Sequence, residues 1–90
     1  MNKQDLINFV ATNSNLTKAD SERAVSAVFQ GIRETLCRGE RASFVGFGTF
    51  MTAERQARNG RNPRTGAPIQ IPAARQPKFR PGKELRESVN

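Results

Sequence analysis

Arginine recurs every third residue at Arg55, Arg58, Arg61 and Arg64, and Arg75, Lys78 and Arg80 follow. No aspartate or glutamate lies between residues 55 and 80. Six of those seven cations are arginine, whose planar donor fork pairs bidentately with phosphate, whereas lysine offers a point charge. The chemistry on offer is recognition of a polyanionic backbone. The chain holds 15 Lys and Arg against 8 Asp and Glu, a net charge of +7. Removing the seven cations of the stretch leaves eight (Lys3, Lys18, Arg23, Arg33, Arg38, Arg41, Lys83 and Arg86) against the eight acids, so the remainder is neutral. A solvated basic tail is the plain alternative. The preference for arginine over lysine favours binding.

Covalent chemistry is nearly absent. The chain has no histidine and one cysteine, Cys37. That excludes His-dependent triads and the usual transition-metal ligand sets. Carboxylate-held Mg²⁺ needs acids beside the bound backbone, and only Glu54 is near. A non-enzyme without metal or cofactor is therefore expected. A lone thiol fits a reducing compartment. The N-terminus lacks the apolar core of a signal peptide and no 18-residue apolar run is present, so a cytoplasmic protein without a membrane span is expected.

The elements that must carry the arginines follow from periodicity. Residues 3 to 12 read as an amphipathic helix capped by Asn2, with Leu6, Ile7, Val10 and Ala11 on one face and Phe9 off it. Asn13-Ser14-Asn15 breaks it. Thr17 caps a second helix of about 20 residues, roughly 30 Å long, with Asp20 as a weak capping-box acid. Its stripe is Val25, Val28, Phe29, Ile32 and Leu36, Cys37 lies beside the stripe as a half-buried structural thiol, and Gly39 stops the helix. Strand character begins at Arg41, Gly46-Phe47-Gly48 reads as a tight turn pinning Phe47 into the core, and Thr49 to Thr52 return. That glycine pair could instead cradle phosphate through its N–H groups, a weaker reading than the turn.

Residues 54 to 68 hold only Ala57, Ala67 and two prolines as apolar residues, too few to pack as core. Ile69 and Ile71 alternate with Gln70, and Asn62 and Pro63 suit the first positions of a type I turn. The expected shape is a protruding two-stranded hairpin with its tip near residues 61 to 66. Pro68, Pro72 and Pro77 fit strands with free edges. Three-residue spacing on such a ribbon sends arginines to both faces unless a bulge re-aims them. A ribbon in a narrow groove, with phosphate on both flanks, would use both. Pro63 at the tip reads from spacing as a turn former; a rigid wedge between base pairs is the sharper alternative. A short helix from Lys83 carries Leu85 and Val89. Without the hairpin, about 65 residues remain, a size that commonly needs a partner for stability. The six phenylalanines predict an intertwined homodimer sharing them in one core.

The run Val45-Gly46-Phe47-Gly48-Thr49-Phe50, then Arg55 and Arg58, then Gly60-Arg61-Asn62-Pro63-Arg64-Thr65-Gly66, resembles the HU family of bacterial histone-like proteins, with integration host factor as its sequence-specific relative. The likeness extends from Met1-Asn2-Lys3 through Lys78-Phe79-Arg80-Pro81-Gly82-Lys83 to Val89-Asn90. It implies an α+β intertwined dimer with a helical base, a small antiparallel sheet and two protruding β-ribbon arms. Residues 1–38 would hold two helices, 41–53 and 73–80 the body strands, 54–72 the arm and 83–90 the C-terminal helix. It implies an architectural protein of the bacterial nucleoid that bends and compacts duplex DNA from the minor groove, with little sequence specificity and a preference for flexible, nicked or distorted DNA.

Carried onto matching positions, Arg55, Arg58, Arg61, Asn62, Pro63, Arg64 and Arg75 would be arm contacts, with Pro63 the intercalating wedge. Lys3, Lys78, Arg80, Lys83 and Arg86 would hold flanking phosphates. Phe29, Phe44, Phe47, Phe50 and Phe79 would form the shared dimer core. The partners implied are double-stranded DNA and a second copy or a paralogue, with RNA secondary. Ser26 stands where some members carry an acid that restrains Lys3, so Lys3 is expected to be freer. Arg64 and Gln76 also depart from common choices, with opposing charge effects. The rival readings are a sequence-specific operator-binding relative and a basic RNA-binding structural protein.

Overall fold

The computed structural model describes residues 1–90. Helix α1 (Lys3–Ser14) opens on a reciprocal cap: the Asp5 N–H donates to the Asn2 carboxamide at 2.8 Å, and the Asn2 N–H donates to the Asp5 carboxylate at 3.0 Å. It continues two residues past the expected end at 12, and the Asn13 side chain turns back to the Phe9 carbonyl. The helix stops where Asn15 takes the left-handed conformation, φ 54°. Helix α2 (Lys18–Cys37) starts at Thr17, whose hydroxyl accepts from the Asp20 N–H at 3.1 Å. The Asp20 carboxylate pairs with Arg23 rather than returning to the cap.

Three antiparallel strands follow in the order β1 (Ala42–Phe44), β2 (Gly48–Arg55) and β5 (Ala74–Pro81). A second pair, β3 (Arg58–Arg61) and β4 (Pro68–Ile71), lies between β2 and β5 in the chain, and α3 (Lys83–Ser88) ends it. The tight turn sits earlier than expected. The Phe47 N–H closes onto the Phe44 carbonyl at 3.0 Å, with Val45 and Gly46 at the corner. Gly46 has φ 83°, the positive value that the third residue of a type II turn requires. Gly48 therefore belongs to β2, opposite Phe44 and Pro81. A Cβ there would lie 2.7 Å from the Arg80 carbonyl and from the Phe79 ring, so Gly48 lets strand and ring approach.

The core is small. Four of 90 residues are buried: Ile7, Ser21 and Val25 at the α1–α2 crossing, and Gly48 in the sheet. Ser21 is fully buried because its hydroxyl donates to the Thr17 carbonyl at 2.8 Å, hiding its polarity. The sequence pattern offered no sign of that. Phe50 bridges Phe44 and Phe79 at centroid distances of 6.2 and 4.8 Å, and Phe79 meets Phe47 at 5.6 Å. Yet Phe47 remains 49% exposed and Phe29 44%, with Val28, Phe44 and Phe79 similarly open. The expectation that Phe47 is pinned into a core is not met within one chain, which has too few layers to cover both sides of these rings. Cys37 is exposed rather than half-buried. The radius of gyration is 18.5 Å, against about 12 Å for a compact chain of this length. The excess is the β3–β4 arm.

Candidate nucleic-acid interface

The arm is a continuation of the body sheet. Pairing of β2 with β5 runs from Gly48↔Pro81 to Arg55↔Ala74, and β3 with β4 from Arg58↔Ile71 to Arg61↔Pro68. Two residues intervene on each strand, Gln56-Ala57 and Pro72-Ala73, where one would continue the alternation of hydrogen-bonded pairs, so each strand carries one extra residue at the joint. Glu54 and Arg55 are paired within the body sheet, so the arm proper starts after them.

Directly opposed residues of an antiparallel pair share a face. In the body, one face carries Thr49, Met51, Ala53 and Arg55 with Arg80, Lys78, Gln76 and Ala74; in the arm, one face carries Asn59 and Arg61 with Gln70 and Pro68. The opposite face of the body carries Phe50 and Phe79, then Glu54 and Arg75, and the opposite face of the arm carries Arg58 and Gly60 with Ile71 and Ile69. Cations therefore stand on both faces of one ribbon. Gly60 leaves space that Ile71 fills, since a Cβ there would lie 3.2 Å from Ile71 Cδ1.

The tip is built by Asn62. Its N–H donates to the Ala67 carbonyl at 2.8 Å, its carbonyl accepts from the Gly66 N–H at 2.8 Å, and its side chain accepts from the Arg64 N–H at 2.9 Å. The closing bond spans one residue more than the four-residue turn expected, because Gly66, at φ 69°, adds a left-handed step before the return strand. Pro63 and Arg64 project from this turn, both exposed. Arg58, Arg61, Lys78 and Arg80 are also exposed.

Two of the expected arm contacts also donate to carbonyls of the protein. Arg55 donates to the Pro72 carbonyl at 3.0 Å. Arg75 donates to the Cys37 carbonyl at 3.4 Å, at the C-terminal end of α2, where a cation is favoured by the helix dipole. On the body, Lys3 is exposed at the start of α1 and belongs to none of the three ion pairs. Lys83 lies 3.9 Å from Glu87 on α3, and Arg86 is exposed in its last turn. No helix is long and apolar enough to cross a membrane.

The family model described as bacterial DNA-binding protein matches residues 1–90. DNA-binding protein HU-1 of Halalkalibacterium halodurans is 52% identical over 90 residues, all of both chains. DNA-binding protein HU of Geobacillus stearothermophilus is 51% identical over 89 residues, 99% of each. Among solved structures, an Anabaena HU–DNA cocrystal matches with TM-score 0.93 and 42% identity, over 99% of this chain and 97% of that one. HU from Thermotoga maritima matches with TM-score 0.70 and 31% identity over the whole of both chains. The α+β body, the arginine-bearing ribbon and the full-length match together place the chain in the bacterial DNA-binding protein family of HU, a family of DNA-binding proteins and not of enzymes.

Proposed function

We propose that two copies of this chain bury their open phenylalanine faces against each other and hold duplex DNA between two arms. The observation that carries the reading is the acid-free ribbon, with cations on both faces and an exposed proline at its end. Such a ribbon matches a minor groove, which has phosphate on both flanks and concentrates negative potential where it is narrow. Arg58, Arg61, Arg64 and Asn62 are the proposed arm contacts. Lys78 and Arg80 add contacts on the body sheet, and Lys3, Lys83 and Arg86 serve flanking phosphates. The residues between Arg55 and Ala74 form the arm, and the rest forms the base. The full-length likeness to proteins named HU supports a place in the bacterial nucleoid.

Pro63 is the proposed wedge. Minor-groove architectural proteins, the HU family among them, insert apolar side chains between base steps and kink the duplex. Pro63→Ala is expected to reduce bending, read by energy transfer between end-labelled duplex, more than it reduces affinity. Equal losses in both would leave Pro63 as a turn former only. Lys3 has no carboxylate to restrain it, so Lys3→Ala should weaken binding and shorten the footprint on long duplexes while leaving short ones unchanged. An unaltered footprint on long duplexes would remove Lys3 from the interface.

A further inference from the structure

The joint between body and arm is held by one side chain. On either side of it the ladder is complete, at Arg55↔Ala74 and at Arg58↔Ile71. Between them Gln56 and Ala57 face Pro72 and Ala73 with no backbone hydrogen bond, and Pro72 has no N–H to offer. The one hydrogen bond that crosses the gap runs from the Arg55 guanidinium to the Pro72 carbonyl at 3.0 Å. It starts at the last paired residue of the body sheet and ends next to the last paired residue of the arm. Part of the guanidinium is enclosed. Its Nε is buried without a partner, in a crease lined by Glu54, Ala73, Ala74 and Arg75.

Below the joint, Arg75 ties the adjoining strand to the end of α2 through the Cys37 carbonyl. The base of the arm is thus fastened on both strands, and only the segment beyond Pro72 depends on Arg55. Two of the three guanidinium nitrogens of Arg55 are thus engaged or enclosed by the fold.

We propose that Arg55 is a positioning residue, which braces the arm against the body and so sets the angle at which the tip meets DNA. The consequence for bending rests on the DNA-binding function proposed above; the brace itself does not. Lysine keeps the charge at this position but lacks the planar fork that reaches the Pro72 carbonyl while packing in the crease. Arg55→Lys should therefore separate the two roles, with Arg58→Lys as the control and Arg55→Gln as a second brace-breaking variant.

The test uses the full-length protein, free and bound to a nicked duplex. Backbone ¹⁵N relaxation and residual dipolar couplings of residues 58–71 are compared with those of residues 48–55 and 74–81. For the brace, Arg55→Lys and Arg55→Gln should loosen the arm relative to the body, whereas Arg58→Lys should not. On duplex DNA, Arg55→Lys should lower and broaden the bend while its salt dependence stays that of the unaltered protein. Arm couplings in both Arg55 variants equal to wild type would overturn the brace, as would an equal loosening by Arg58→Lys. If the brace variants loosen the arm but wild type leaves nicked duplex straight, the brace stands and the bending function fails. If wild type bends DNA and the arm couplings are unchanged by Arg55→Lys, the reverse holds.

Discussion

Truncating Phe79 to alanine is expected to abolish the folded state at micromolar concentration. Phe79 lies at the centre of the ring cluster, 4.8 Å from Phe50 and 5.6 Å from Phe47. Removing a phenylalanine from a packed core costs about 3–5 kcal/mol. A small protein has a total stability of only about 5–15 kcal/mol. Here the margin is thinner still, because one chain buries just four residues and leaves Phe79 40% open until a second chain covers it. Folding and pairing are then one event, so the wild-type melting temperature should rise with protein concentration. Circular dichroism melts over a hundredfold concentration range check both points. A wild-type melt that does not move with concentration, or a Phe79→Ala protein that melts like wild type, would contradict the shared ring core.

The second large effect concerns charge. Neutralising each phosphate contributes about −0.9 to the slope of log affinity against log salt, so about six contacts give a slope of roughly −5. Doubling the salt should then weaken binding about thirtyfold on any sequence. Replacing Arg58, Arg61 and Arg64 together by alanine should make the slope shallower by about 2.7, which at 0.1 M salt corresponds to an affinity loss of about 500-fold. None of these three side chains has a protein acceptor, and all are exposed, so stability should change little. Fluorescence anisotropy with a labelled duplex across a salt series measures the slope directly. An unchanged slope in the triple variant would move the phosphate contacts off the arm.

Much of this architecture was legible because it depends on local rules. Asn2, Thr17, Gly39 and Asn15 mark the helix ends, and the change from helical spacing to alternation after Arg41 marks the sheet. The arm was legible as a shift in charge and composition. What escaped depends on pairs of residues far apart in the chain. The position of the turn at Val45-Gly46 follows from Gly48 being needed where the Arg80 carbonyl and the Phe79 ring come close, which no local pattern expresses. Ser21 is buried through a bond to its own helix, so its polarity hid its place in the core. Arg55 and Arg75 looked equivalent to the other arm arginines in type and spacing. They differ only because the fold brings the Pro72 and Cys37 carbonyls within reach of their guanidinium groups. The exposed rings, in turn, were read as a core that a single chain does not complete.

The bending mechanism is tested most directly by competition between a straight duplex and the same sequence carrying a nick or a short gap. Deforming an intact duplex costs free energy that a nick largely removes, and each 1.4 kcal/mol spared is a factor of about ten in affinity. The nicked and gapped duplexes should outcompete the straight one by about tenfold or more, on scrambled sequences as well, and Pro63→Ala should narrow the gap. Equal affinity for straight and nicked duplex would contradict a wedge at the tip of a basic ribbon.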